Sequence, residues 1–210
     1  RFLLLISVAV SIIGGGVIGI EFASFYASLG SKVTIIEMLT DICAGMDGDI
    51  VKTLRQELER KGISFILDAK VTKITENSVS YSHKNEEHCV STEVVLIATG
   101  RVPNVNNIGL EKVGVDFDRT GIRVDSRCRT NIPSIYAIGD CNGKMQLAHV
   151  ASRQGEVAVN SISGKTDIMR YNAIPAVVYS SPEVACVGLT EAQATANGIS
   201  TRITKLPLSV

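Results

Sequence analysis

The stretch Val8-Ala9-Val10-Ser11-Ile12-Ile13-Gly14-Gly15-Gly16-Val17-Ile18-Gly19-Ile20-Glu21-Phe22 decides the fold. Its first six residues form an apolar run of the length and composition of a strand buried on both faces. The glycines that follow stand as Gly14-x-Gly16-x-x-Gly19. From Val17 to Leu29 the apolar residues recur at helical spacing, with Ile18, Phe22 and Phe25 on one stripe. Gly30 falls where a helix end takes a residue at positive φ, and Lys32 to Glu37 reads as a second strand. Residues 8–37 thus make a strand–helix–strand unit in the roughly 30 residues such a unit needs.

Within that unit each glycine has a separate steric task. The first permits the tight turn, the second lets backbone approach a pyrophosphate, and the third lets helix and strand pack closely. The amides of the helix start and the positive end of its dipole can then receive phosphates. Glu37 closes the second strand about 20 residues beyond the second glycine, where a carboxylate accepts hydrogen bonds from a ribose 2′-hydroxyl and repels a 2′-phosphate. No arginine pair follows Glu37, so the pattern favours NAD over NADP. A solvated strand-end glutamate is the plainer alternative for that residue.

Working outward, Asp47 or Asp49 can cap a second helix with Ile50, Leu54 and Leu58 on one face. Gly62 ends it and Ile63 to Leu67 is a third strand. Val71–Thr75, Val79–Ser82 and Glu87–Val90 follow as an antiparallel meander. Val94 to Ala98 is again an apolar strand, closed by Gly100. The expected fold is α/β: a Rossmann-like domain of a parallel sheet plus a three-stranded meander over residues 1–100. Residues 101–133 are loop-rich, Ile135 to Ile138 reads as a strand ending in Gly139-Asp140, and a helix runs from about Gln146 to Ile162. From Tyr171 a new β-rich stretch opens, with strands at 176–179 and 185–187; with so little chain it is expected to be poorly held.

Composition narrows the partners. Of 210 residues 45% are hydrophobic, and 21 basic residues balance 21 acidic ones. A net charge near zero gives no electrostatic footprint for nucleic acid or for an anionic membrane. The apolar run from Phe2 to Ile13 is short of the ~20 residues a membrane helix requires and has no cleavage pattern. The five cysteines, Cys43, Cys89, Cys128, Cys141 and Cys186, show neither a Cys-x-x-Cys nor a Cys-x-x-x-x-Cys spacing, so no metal site and no local redox disulfide is expected. Free thiols of this kind suit a cytoplasmic or mitochondrial-matrix setting. Met38, Met46 and Phe65 read as core residues, His83 and His88 as solvated surface. Asp140, an acid just after an apolar strand and a glycine, is placed at a sheet's carboxyl edge, where ligands bind.

Several motifs recur in one order. They are Gly14-Gly15-Gly16-Val17-Ile18-Gly19-Ile20-Glu21-Phe22-Ala23, Ile35-Ile36-Glu37-Met38 with Asp47-x-Asp49, and Ala98-Thr99-Gly100-Arg101-x-Pro103-Asn104. Thr130-Asn131-x-Pro133-x-Ile135-Tyr136-Ala137-Ile138-Gly139-Asp140, Leu147-Ala148-His149 and Pro175-x-Val177-Val178-Tyr179-x-Ser181-Pro182-Glu183-Val184-Ala185 follow. Over about residues 8–195 the chain resembles the pyridine nucleotide-disulfide oxidoreductase family.

The resemblance implies an NAD-binding domain over 1–100, the last segment of an FAD-binding domain over 101–168 and the start of a dimerisation domain over 169–210. It implies that Gly14, Gly16, Val17, Ile18, Gly19, Glu37, Val71 and Gly100 serve NAD. Asp140 would hydrogen-bond the ribityl chain of FAD, Gln146, Leu147 and Ala148 would offer amides to the flavin, and Glu21 would support the flavin and nicotinamide from the side.

The implied reaction of the parent protein passes a hydride from flavin to NAD after dihydrolipoyl thiols reduce a disulfide, in a homodimer that belongs to a 2-oxo acid dehydrogenase complex. Mercuric reduction, transhydrogenation and a non-catalytic NAD-binding module are the alternatives. The family's first nucleotide fingerprint, its cysteine pair and its histidine–glutamate pair have no counterpart in these 210 residues. The chain is therefore expected to be an internal segment, colourless and inactive toward dihydrolipoamide by itself.

Overall fold

The structure is a computed structural model, and it describes residues 8–207. The expected apolar run before Val8 lies outside those residues. The chain divides into two compact units: residues up to Gly100 together with Val177 onward, and Arg101 to Ala176.

In the first unit, strand β1 (Ala9–Ile13) leads through the glycine turn into helix α1 (Val17–Ser28) and strand β2 (Lys32–Ile36). Helix α2 (Gly48–Arg60) and strand β3 (Ser64–Ile66) follow. The meander is β4 (Ala69–Ile74), β5 (Ser78–His83) and β6 (Glu86–Ser91), and β7 (Val94–Ile97) completes the main sheet. That sheet runs β3-β2-β1-β7, parallel throughout, with Ile12 between Ile35 and Leu96.

Alternation along the strands sends successive side chains to opposite faces. Val10, Ile12, Val33 and Ile35 pack with Ile20 and Ala23 of α1 and with Val51, Leu54 and Leu58 of α2. Ile13 and Ile36 face the other way, onto Ala69 and Val79 of the meander. Burying each such side chain stabilises the fold by about 1.5–3 kcal/mol.

Helix α1 turns differently from the expected stripe, and α2 departs from its expected face at one position only. On α1 the Ile18, Phe22 and Phe25 stripe points outward, with Phe25 54% exposed, while Gly19, Ile20 and Ala23 are buried. Helix α1 is apolar nearly all round, so hydrophobicity alone selects no face. The close approach of Gly19 to the glycine turn decides, because only small residues fit there. On α2 the buried face is Val51, Leu54 and Leu58, and Ile50 is 47% exposed. Asp47 occupies the N-cap position of α2 without a capping side-chain bond. In β7, Val94 and Ile97 are exposed because the strand forms the sheet's edge.

The last stretch is better held than expected. Strands β8 (Phe117–Asp118) and β9 (Gly121–Ile122) form a hairpin in the second unit, and β10 (Pro175–Val178) pairs with β11 (Val184–Val187). Val178 and Val184 are buried in the same cluster as Val10 and Leu54. Lys61 Nζ donates to the Ser181 carbonyl and hydroxyl at 2.6 Å, the Ser181 amide donates to Ser24 Oγ at 3.0 Å, and the Glu191 amide donates to Asp47 Oδ1 at 3.0 Å. Lys205 pairs with Asp49.

The second unit is built on helix α3 (Ala148–Ile162) and two small cores. One holds Val105, Leu110, Val115, Ile122 and Ala137, the other Cys128, Val150, Val157, Ala158 and Met169. Ile135 to Ile138 is not a strand: it meets backbone on one side only, through a single bridge from Tyr136 to Arg129. A short helix α4 (Glu191–Ala196), not expected from the sequence, opens on a capping box of Thr190 and Gln193.

Candidate functional site

The turn after β1 is steric in origin. Gly14 has φ +108, and a Cβ there would meet the Ala98 carbonyl; a Cβ on Gly19 would strike the Gly14 carbonyl oxygen. Gly16, by contrast, is exposed and extended, and a Cβ on it would touch nothing within 4 Å. Backbone donors divide accordingly. The Gly14 amide donates to the Ile36 carbonyl at 2.9 Å and the Gly15 amide to Glu37 Oε2 at 2.5 Å. Gly16 is the N-cap of α1 and offers no side chain, and no acid stands in the first turn. The amides of Val17, Ile18 and Gly19 therefore lack intrahelical acceptors, as in any first helical turn, and face outward with an uncompensated dipole.

Gly14, Gly16, Glu37, Val71 and Gly100 line one cleft of about 550 Å³, within the range of small-molecule sites. Both oxygens of Glu37 are engaged, since the Leu39 amide also donates to Oε1 at 2.8 Å. The cleft further takes in Met38, Leu39, Asp41, Cys43, Ala44, Lys70 and Thr99, which sequence reading did not place there. Met38 is 64% exposed rather than in the core, whereas Met46 and Phe65 do pack against it. Lys70 is brought there by its neighbour Ala69, whose amide donates to the Glu37 carbonyl at 2.9 Å. Cys43 reaches the cleft through a loop pinned by its own amide on the Gly15 carbonyl at 2.8 Å. Burial, then the charges of Asp41 and Glu21, push its thiol up to about 11.

Val17, Ile18 and Gly19 lie behind the cleft in the first turn of α1. Glu21, one turn further, does not line it; its Oε1 accepts the Tyr179 amide at 2.9 Å. His88 is exposed and stacks on Tyr81, while His83 is half-buried with an unpaired Nδ1. Neither lines the cleft.

The remaining site candidates belong to the second unit. Asp140 sits in a 3-10 turn, Gly139–Asn142, half-exposed and ion-paired with Arg101. Gln154, fully buried, holds that turn: its Oε1 accepts the Gly139 amide at 2.6 Å and Asn142 Nδ2 at 3.0 Å, and its Nε2 donates to the Tyr171 hydroxyl at 3.0 Å. A polar residue on the Val150–Val157–Ala158 face of α3 was the signal for it. Leu147 is the N-cap of α3 and Ala148 its first residue, with Gln146 just before. No side chain caps that helix and no acid stands in its first turn, so its leading amides are free for an acceptor. A second cleft of about 520 Å³ in this unit is lined by none of the candidates.

Among the described residues no cluster of three or more histidines, cysteines or acids is placed to hold a metal, and no helix is long and apolar enough to cross a membrane.

Comparison with known proteins shows the family. A family described as pyridine nucleotide-disulphide oxidoreductase matches residues 4–155, and that family's dimerisation domain matches residues 174–210. The chain is 46% identical over 198 residues to a dihydrolipoyl dehydrogenase of Chlamydia muridarum, covering 94% of this chain and 43% of that protein. It is 40% identical over 206 residues to a mitochondrial dihydrolipoyl dehydrogenase of Schizosaccharomyces pombe, covering 95% and 40%. LpdA of Mycobacterium tuberculosis superposes with a TM-score of 0.84 at 29% identity, over 92% of this chain and 43% of that one. The HOCl-induced flavoprotein disulfide reductase RclA of Escherichia coli does so with 0.83 at 31% identity, over 96% and 47%. The chain spans less than half the length of these relatives.

Proposed function

The chain belongs to the pyridine nucleotide-disulphide oxidoreductase family, and from that premise we propose that the cleft beside Glu37 binds NAD. The observation that carries this reading is the Glu37 carboxylate, held by two amides at the wall of a cleft lined also by Gly14, Gly15 and Gly16, the turn that leads into the uncapped start of α1. The free amides from Gly16 to Gly19 would meet the pyrophosphate, Glu37 the adenosine ribose, and Val71 with Leu39 the adenine. Gly100, at the carboxyl end of β7, would let the nicotinamide half pass along the backbone. Glu37 repels a 2′-phosphate; Lys70 is the one cation among the lining residues that would moderate this.

In the second unit, Asp140 and the free amides of the α3 start from Ala148, beside Gln146 and Leu147, would hold part of an FAD, with Asp140 accepting from its sugar-alcohol chain; the Leu147 amide itself donates to the Met145 carbonyl at 3.0 Å. Glu21 would support the flavin and nicotinamide from α1. FAD supplies the hydride relay when bound, and the chain's own residues hold and align both cofactors. The whole protein would oxidise dihydrolipoyl groups with NAD as acceptor. It would act as a homodimer through the domain begun at residue 174, in the service of a 2-oxo acid dehydrogenase complex and in the cytoplasm or the mitochondrial matrix. The 210 residues alone would not turn over dihydrolipoamide, for no two of their cysteines have redox-pair spacing.

Calorimetry with NADH and NADPH tests the binding reading. NADH is expected to bind at least tenfold more tightly, about 1.4 kcal/mol, and Glu37→Ala to narrow the gap. Equal affinities in the unmutated protein would refute it.

A further inference from the structure

We infer that Gly15, the residue between the two loop glycines, sets the choice of dinucleotide by holding the Glu37 carboxylate in one place. The inference rests on the NAD reading of the cleft given above.

A glutamate at a strand end is ordinarily free to sample several rotamers, at an entropic cost when a ligand must fix one. Here Oε2 accepts the Gly15 amide at 2.5 Å and Oε1 the Leu39 amide at 2.8 Å, both charge-assisted and so about twice as strong as neutral bonds. Gly15 itself is pinned, because it is buried and its carbonyl accepts the Cys43 amide at 2.8 Å. Each Glu37 oxygen keeps a lone pair for one hydroxyl of a vicinal diol. A 2′-phosphate would meet an anion that cannot swing away.

Gly15 differs from Gly14 in why it is glycine. Gly14 needs its positive φ, whereas the Gly15 backbone is not in the left-handed region. What crowds a side chain at 15 is a pair of side chains, Ile42 and Glu37: a Cβ would lie 3.1 Å from Ile42 Cγ2, 3.2 Å from Glu37 Oε2 and 3.3 Å from the Glu37 Cβ. An alanine there is compatible with the φ of the turn, and its methyl group presses on the Glu37 carboxylate and on Ile42, which must give by a few tenths of an ångström. Gly15 is therefore a positioning residue that acts through Glu37.

The experiment compares unmutated protein with Gly15→Ala by calorimetry, using NADH and NADPH as separate probes. Affinity for NADH is expected to fall roughly tenfold and that for NADPH much less, so the selectivity ratio narrows. A merely structural role would weaken both alike, and an unchanged ratio overturns the inference. A second measurement needs no variant at position 15. The Gly15 amide proton is expected far downfield by NMR and to move upfield in Glu37→Gln, while that of Gly16 stays; an insensitive Gly15 resonance overturns the inference even if Gly15→Ala does not fold. Preference for NADH in the unmutated protein with an unchanged ratio in Gly15→Ala would sink this inference alone. Failure of the unmutated protein to bind either probe would sink the cleft reading with it.

Discussion

Gln154 Oε1 accepts the amide hydrogen of Gly139 at 2.6 Å, with both residues buried. The same oxygen takes Asn142 Nδ2, so one side chain satisfies two buried donors of the turn that carries Asp140. Gln154→Leu fills the space but orphans both donors, each costing about 1–3 kcal/mol. Urea unfolding of this variant should show a loss of about 2–4 kcal/mol, and an unchanged midpoint would remove Gln154 from the account.

Gly19 and Gly16 make a contrasting pair. Gly19→Ala drives a methyl group into the Gly14 carbonyl, where backbone cannot easily yield, and should cost about 3 kcal/mol or prevent folding. Gly16→Ala meets nothing and keeps an allowed φ of −72, so its melting temperature should stay within a few degrees of the parent's while NADH affinity falls. Equal melting temperatures for the two variants would contradict the steric reading.

Val178 and Val184 are core residues of the first unit. Val178→Ala should destabilise that unit by about 2 kcal/mol, and the Val178 amide should exchange with solvent on the slow timescale of Ile35 and Ile36. Rapid exchange at 178, with β2 protected, would show that the last strands are not anchored.

The buried thiols carry a pH dependence. Cys43 and Cys128 are both pushed up to about 11, in each case chiefly by burial. A raised folded pKa means stability that is intact below the unfolded value near 9 and is lost as pH climbs toward 11, at about 1.4 kcal/mol per pH unit for each thiol. At neutral pH iodoacetamide should label exposed Cys89 and Cys186 first, with Cys43 and Cys128 reacting only on unfolding. Early labelling of Cys43 would contradict the burial.

The strand–helix–strand unit and the parallel sheet could be read because the glycine spacing, the β-branched strands and the acid after β2 all point one way. That Gly14, Gly16, Glu37 and Gly100 share a cleft follows from the sheet, since strands running in parallel bring their carboxyl ends to one edge; Val71 joins them from β4 of the meander. What escaped were choices made by tertiary contact. Helix α1 has apolar residues on all sides, so its buried face is set by backbone proximity at Gly19 rather than by periodicity. On α2, Ile50 and Val51 both fit helical spacing, and the packing partner decides between them. Cys43 enters the cleft through a loop held by one backbone bond, and nothing local in the sequence signals such a bond. Ile135 to Ile138 has the composition of a strand but only one neighbour to pair with.

Because Val178 and Val184 complete a core whose other strands end by residue 100, the first unit is interrupted in the chain by the second. On a ribosome adding about 5–20 residues per second, roughly 80 further residues, or about 4–16 s, separate synthesis of β7 from arrival of the valines that plug α1 and α2. For that interval the nascent α1–α2 layer carries an unfilled apolar gap. It is then that this polypeptide would most need a chaperone.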